Sequence, residues 1–124
     1  MAISPPIIAV VDDDAAVRNS LRFSLELEGF LVRTYVSAAD LLESDLTSLR
    51  CLIVDEDMPQ MTGLELVAKL RAQGMMIPAL LMSGRLTPAI MRRASVAGVV
   101  LIEKPFLGNG LIESIRAAVG TKPS

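Results

Sequence analysis

The chain has one cysteine among its 124 residues, so no disulfide framework is available and an apolar core must hold the fold. Cys51 lies in an apolar run and is expected to be a buried thiol. An intracellular, cytoplasmic setting is the corresponding expectation. No apolar segment approaches the ~18 residues of a membrane span, so no membrane partner is expected. The opening stretch MAISPPIIAVVDDD carries no basic leader before it runs into acids, which argues against a signal peptide. Charge of one sign is scarce as well. The net charge is -2, with acids and bases dispersed, and a strongly basic nucleic-acid surface is excluded on that ground. No glycine-rich loop follows the first apolar run. Three aspartates stand there and would repel a pyrophosphate, so a dinucleotide site is not expected. Repeats, linkers and low-complexity stretches are missing too. A single domain over residues 1–124 is expected, with its core at about 6–119 and loose ends at 1–5 and 120–124.

What is plentiful is apolarity, 52% of residues, and it has to sit in a core. Five short apolar runs occur: Ile7 to Val11, Leu31 to Val36, Leu52 to Val54, Ile77 to Met82 and Val99 to Ile102. Such runs mark parallel strands buried on both faces. Between them the spacing turns helical. Val17, Leu21 and Leu25 form one stripe, with Asp14 as its cap and Gly29 as its end. Ser37-Ala38-Ala39-Asp40 has capping-box form. Leu66, Val67 and Leu70 form a third stripe, closed by Gly74. Thr87-Pro88 opens a fourth, with Ile90, Ala94 and Ala97 inward and Gly98 after it; Leu111, Ile115, Ala118 and Val119 form the last, capped by Asn109. This fivefold alternation predicts an α/β fold with a parallel sheet and right-handed crossovers.

Open α/β sheets bind ligands beyond the carboxyl ends of their strands, so the residues after each run matter most. Asp12, Asp13 and Asp14 follow the first run, and Asp55, Glu56 and Asp57 follow the third. Ser83-Gly84 follows the fourth, and Glu103-Lys104-Pro105 the fifth. One edge of the sheet therefore gathers carboxylates, a hydroxyl and an ammonium. Clustered carboxylates suit a hard cation such as magnesium, with manganese the alternative ion. Asp55, first out of the third run, is the natural nucleophile for an acyl phosphate. Lys104 suits a phosphate oxygen or a carboxylate. Ser83 adds a donor, and Glu56 is expected to face solvent.

Taken together, the Asp12-Asp13 pair, Asp55 in VDEDMPQMTG, Ser83 in LLMSGR and Lys104 in EKPF resemble the receiver domain of two-component response regulators. The resemblance covers roughly residues 6–119, at intervals of 43, 28 and 21 positions between Asp12, Asp55, Ser83 and Lys104. It implies a three-layer, flavodoxin-like (βα)5 fold with strand order 2-1-3-4-5. It also implies a phospho-accepting signalling domain rather than an enzyme with a separate substrate, catalysing at most its own phosphorylation and dephosphorylation. In family terms Asp55 accepts a phosphoryl group from a sensor histidine kinase or a histidine phosphotransfer protein. Mg2+ would be held by Asp12, Asp13, Asp55 and the backbone carbonyl of Asp57, while Lys104 and Ser83 bind phosphoryl oxygens. Lys104-Pro105 is expected to be a cis peptide. The chain has no histidine, so the donor must be a separate group. A downstream output protein or domain is implied, together with the possibility of a homodimer through the fourth helix, last strand and last helix. No output domain of its own, such as a helix-turn-helix, is expected after residue 119.

Two positions depart from the family's pattern. Leu101 stands where receivers commonly carry a switch aromatic, so output is expected to be read mainly from the third and fourth helices and their loops. Asp57 adds an acid beside the site, and Arg85 is placed across the same opening; the two are expected to pair and to modulate phosphorylation and hydrolysis. Two rival functions remain at this point. One is a receiver-like interaction module working without phosphate. The other is a haloacid-dehalogenase-like phosphatase, suggested by Asp55-x-Asp57, although that motif normally follows the first strand of a longer chain.

Overall fold

The computed structural model describes residues 6–104 and 110–120. The Lys104-Pro105 peptide and the Asn109 cap therefore lie outside the described residues, as do both loose ends apart from Gly120. Strand and helix alternate throughout: β1 (Ile7–Val11), α1 (Ala15–Leu27), β2 (Leu31–Tyr35), α2 (Ala38–Leu42) and β3 (Leu49–Asp55) come first. They are followed by α3 (Gly63–Ala72), β4 (Ala79–Ser83), α4 (Pro88–Ala97), β5 (Val100–Glu103) and α5 (Gly110–Val119). The five strands form one parallel sheet in the order β2-β1-β3-β4-β5, as the resemblance implied.

Period-two alternation along the strands splits the core into two layers. Ile8 and Val10 of β1, Cys51 and Ile53 of β3, and Leu80 and Met82 of β4 face Leu21 and Leu25 of α1 and Ile115 of α5. Ala9, Val11, Leu52, Val54 and Leu81 face the other way, against Leu41, Leu64, Val67, Leu70 and Ala94 of α2, α3 and α4. Only the central strands are covered on both faces. The edge strands are half open: Leu31 of β2 and Val100 of β5 remain about half exposed, so their apolarity overstated their burial.

Caps set where the helices begin. Asp14 accepts from the Ala16 and Val17 amides, and Thr87 accepts from Ile90 with Pro88 in the first turn. Ser37 accepts from Asp40, but the Asp40 carboxylate reaches back to the Val36 amide and not to Ser37's own. Thr62 and Glu65 form a full capping box at α3. Gly98 ends α4 in the left-handed region at φ 73. Lengths deviate modestly from expectation. β3 starts at Leu49 because its ladder with β1 continues past the exposed Arg50, which interrupts the apolar run.

Candidate functional site

At their carboxyl ends β1, β3 and β5 are each extended by one more ladder bond to a neighbouring strand. The Asp12 amide donates to the Tyr35 carbonyl (3.2 Å), the Glu56 amide to Met82 (2.8 Å) and the Lys104 amide to Ser83 (3.0 Å). Strand alternation therefore persists just beyond the strands. Asp12 continues the Ile8–Val10 face, Asp55 the Cys51–Ile53 face and Lys104 the Ile102 face, so all three lie on the α1/α5 side.

Their side chains meet. Lys104 Nζ lies 3.1 Å from Asp55 Oδ1 and 3.4 Å from Asp12 Oδ2. Carboxylate oxygens of Asp12, Asp13 and Asp55 all fall within 4.8 Å of one another, with Asp12 and Asp55 buried and Asp13 exposed. The loop holds them in place. Asp12 Oδ1 accepts from the Asp14 amide (2.9 Å), Asp55 Oδ1 accepts from the Asp57 amide (3.2 Å), and Arg18 donates to the Asp12 carbonyl (2.6 Å). Burial pushes the Asp12 carboxyl above its ordinary range, against the pull of the Asp14 amide; Asp55's charge adds to the rise and Lys104 opposes it. For Lys104, burial works toward a lower value, but the hydrogen bond and charge of Asp55, then those of Asp12, leave it raised. Three carboxylates against one ammonium leave two negative charges in a purely oxygen donor set. That arrangement fits a divalent hard cation.

A family model described as the response regulator receiver domain matches residues 8–116. The chain belongs to this family. Among curated receivers, the transcriptional regulatory protein FixJ of Azorhizobium caulinodans is 36% identical over 115 residues, covering 91% of this chain and 54% of FixJ. The response regulator protein TmoT of Ectopseudomonas mendocina is 35% identical over 120 residues, covering 94% of this chain and 54% of TmoT. The crystal structure of FixJ-N superposes with a TM-score of 0.84 at 32% identity, covering 98% of this chain and 99% of that one. A CheY-like receiver from Methanospirillum hungatei gives a TM-score of 0.86 at 26% identity, covering 94% and 95% respectively. The chain spans about half the length of the curated relatives it matches.

Within this receiver, Asp12, Asp13, Asp55 and Lys104 converge. Ser83 is buried at the end of β4, but its hydroxyl is turned into its own loop, donating to the Arg85 carbonyl (3.0 Å) and accepting from the Arg85 amide (3.1 Å). Arg85 thus engages Ser83 through its backbone. Two expectations need correction. Asp57 and Arg85 are both exposed and form no ion pair with each other, since solvation of two surface charges competes well with a pair. Glu56 does not face solvent. It is 5% exposed, and its Oε1 accepts from the Leu64 amide at 2.8 Å while its carbonyl accepts from Gly63. The missed signal was alternation: Glu56 continues the Leu52–Val54 face and so points at α3, whose first turn needs acceptors. Burial pushes the Glu56 carboxyl up, while the Leu64 amide and then Arg93 pull it down. Leu101 is half-buried and packs in the α2/α3/α4 layer as an ordinary strand residue.

Proposed function

We propose that this receiver accepts a phosphoryl group on Asp55 from a phosphohistidine of a sensor kinase or histidine phosphotransfer protein. The observation that carries this reading is Lys104 Nζ bridging Asp55 and Asp12 inside the acidic cluster. In the transfer, an Asp55 carboxylate oxygen forms a bond to phosphorus as the phosphorus–nitrogen bond to the donor imidazole breaks, and the departing imidazole retains the electron pair. Asp12, Asp13, Asp55 and the Asp57 carbonyl would hold Mg2+. The bound ion supplies neutralisation of charge on the phosphoryl oxygens. Lys104 orients the Asp55 carboxylate beforehand and then pairs with a phosphoryl oxygen. Ser83 reaches a second oxygen by giving up its bond to the Arg85 carbonyl, which couples the acyl phosphate to the loop after β4. Catalysis here is positioning plus electrostatics.

Asp57 and Arg85 flank the opening and modulate the rates separately, so their substitutions should act additively on dephosphorylation in a double-mutant cycle. Asp57 is exposed, and it is its amide that faces Asp55; this placement offers nothing to the phosphatase reading, in which its carboxylate would be a general acid. The chain is read as a cytoplasmic single domain over residues 1–124 that relays its state to an output protein or domain, with homodimerisation through α4, β5 and α5 open to it. Among the described residues no helix is long and apolar enough to cross a membrane. The test is incubation with acetyl phosphate and Mg2+, followed by intact-mass measurement. A phosphate adduct that is absent from Asp55→Asn supports the reading. No adduct on the unsubstituted chain overturns it in favour of a phosphate-independent module.

A further inference from the structure

Between α3 and α4 the surface opens into a groove of about 820 Å³ that takes no part in the acidic cluster. Its apolar lining comes from Leu64 and Ala68 of α3 and from Val96 and Ala97 of α4, with Met76 just beyond the end of α3. Met76 and Val96 are 71% and 90% exposed, so two large apolar side chains stand in water beside one trough. The remaining lining residues are Arg71, Arg92 and Arg93, and no acid lines the groove. None of the three arginines takes part in an ion pair among the described residues. Arg71 is held at the rim by donating to the Met75 carbonyl at 3.0 Å, which leaves the rest of its guanidinium fork for a partner. A chain of net charge -2 thus gathers three arginines around an apolar floor; Arg93 also feels the charges of Glu56 and Glu65, so Arg71 and Arg92 are the less compensated pair.

We propose that this groove docks an acidic amphipathic helix of a partner protein. The two walls are ten-residue helices, each ~15 Å long, so the trough seats two to three turns of a helix lying along it. Such a helix lays apolar anchors at i, i+3/i+4 and i+7 onto the floor. Its flanking carboxylates meet arginine forks suited to bidentate pairing, and a basic helix is repelled. A small neutral ligand fits less well, because the lining offers no buried polar group to orient it. The surface adds to the proposed chemistry and does not require it: the docking charges belong to α3 and α4, away from Asp55.

The experiment uses two probe peptides of roughly four helical turns with the same leucine pattern, one flanked by glutamates and one by lysines. Each is titrated at low salt into the isotope-labelled chain while backbone amide shifts are followed. The glutamate peptide is expected to move signals in residues 64–76 and 92–97, to bind at least about tenfold more tightly than the lysine peptide, and to weaken with salt. Arg92→Glu with Arg93→Glu, both at exposed positions, is expected to cost a similar factor; single Arg92→Gln serves if the double variant melts early. Asp55→Asn is expected to bind as the unsubstituted chain does, which separates this test from the phosphorylation test. Equal binding of the lysine peptide, shifts centred on β5 and α5, or no shift at millimolar glutamate peptide would overturn the proposal.

Discussion

Substituting Gly63 with alanine sets two effects of known sign against each other. Gly63 is the first residue of α3, and no left-handed φ holds it, so alanine is conformationally admissible. On propensity alone the change would add at most about 0.5–1 kcal/mol, the figure for a helix interior, and less at this first helical position. A Cβ there, however, would meet the Asp55 carbonyl oxygen at 2.7 Å and Leu81 Cδ1 at 2.6 Å. Ordinary contact begins near 3.4 Å, so the carbonyl stands about 0.7 Å too close. Leu81 can rotate, but the carbonyl belongs to a buried central strand whose next amide is bonded to Met82. Overpacking of this kind costs about 1–3 kcal/mol, toward the upper end where backbone must yield. The clash wins, for a net loss of about 1–2 kcal/mol and a fall in Tm of about 3–10 °C in a thermal melt followed by circular dichroism. Because the displaced atom is the carbonyl of Asp55 itself, acetyl-phosphate labelling should slow by about tenfold or more. Gly84→Ala is the control. Nothing lies within 4 Å of its Cβ position, so Tm should hold within about 0.5 kcal/mol-equivalent. An unchanged or higher Tm for Gly63→Ala would refute the close approach of α3 to β3.

Other perturbations test separate parts of the site. Glu56→Leu leaves the buried Leu64 amide without its acceptor and should cost about 1–3 kcal/mol in urea unfolding, whereas Glu56→Gln keeps an acceptor and should cost markedly less. Lys104→Met strands Asp12 and Asp55 together, so Tm should fall in Mg2+-free buffer and recover largely when Mg2+ is added; equal losses in both buffers would contradict the charge argument. Burial pushes the Cys51 thiol up to about 12 from an ordinary 9.0, so the folded chain keeps its proton where the unfolded chain loses it. That contribution is complete below pH 9.0 and fades toward pH 12, by roughly 1.4 kcal/mol per pH unit between them. Relative to Cys51→Ala, which lacks the titration, native stability should drop along that slope. Thiol reagents should label Cys51 only after unfolding.

Much of the architecture was legible because local chemistry and tertiary demand agree. β1 runs from Ile7 to Val11 as its apolar run does, and Asp14, Thr87 and Gly98 cap as their residue types predict. The acids and the lysine were legible because each stands at or just past a strand's carboxyl end, where ladder and parity leave it few directions to point. The departures come where a neighbouring element or solvent, and not the residue's own run, decides the outcome. Glu56 looked like a solvated loop acid until α3 supplied an amide for it, and its burial needed parity carried one residue beyond the apolar run. The Thr62-x-x-Glu65 box is local and written in the sequence, and it sets the start of α3 just ahead of the Leu66, Val67 and Leu70 stripe. The motif places Asp57 and Arg85 across one opening, yet exposed side chains are governed by solvation, which spacing does not encode.

The link between Lys104 and Asp12 spans 92 residues, close to the full separation of the first and last strands. A chain emerging from a ribosome acquires Asp12, Asp13 and Asp55 long before the cation that balances them. Until β5 is laid against β4, the carboxylates repel one another with no ammonium among them, and any truncated product stays in that condition. Under the proposed function, competence for phosphorylation therefore requires that β5 has been made and closed against β4.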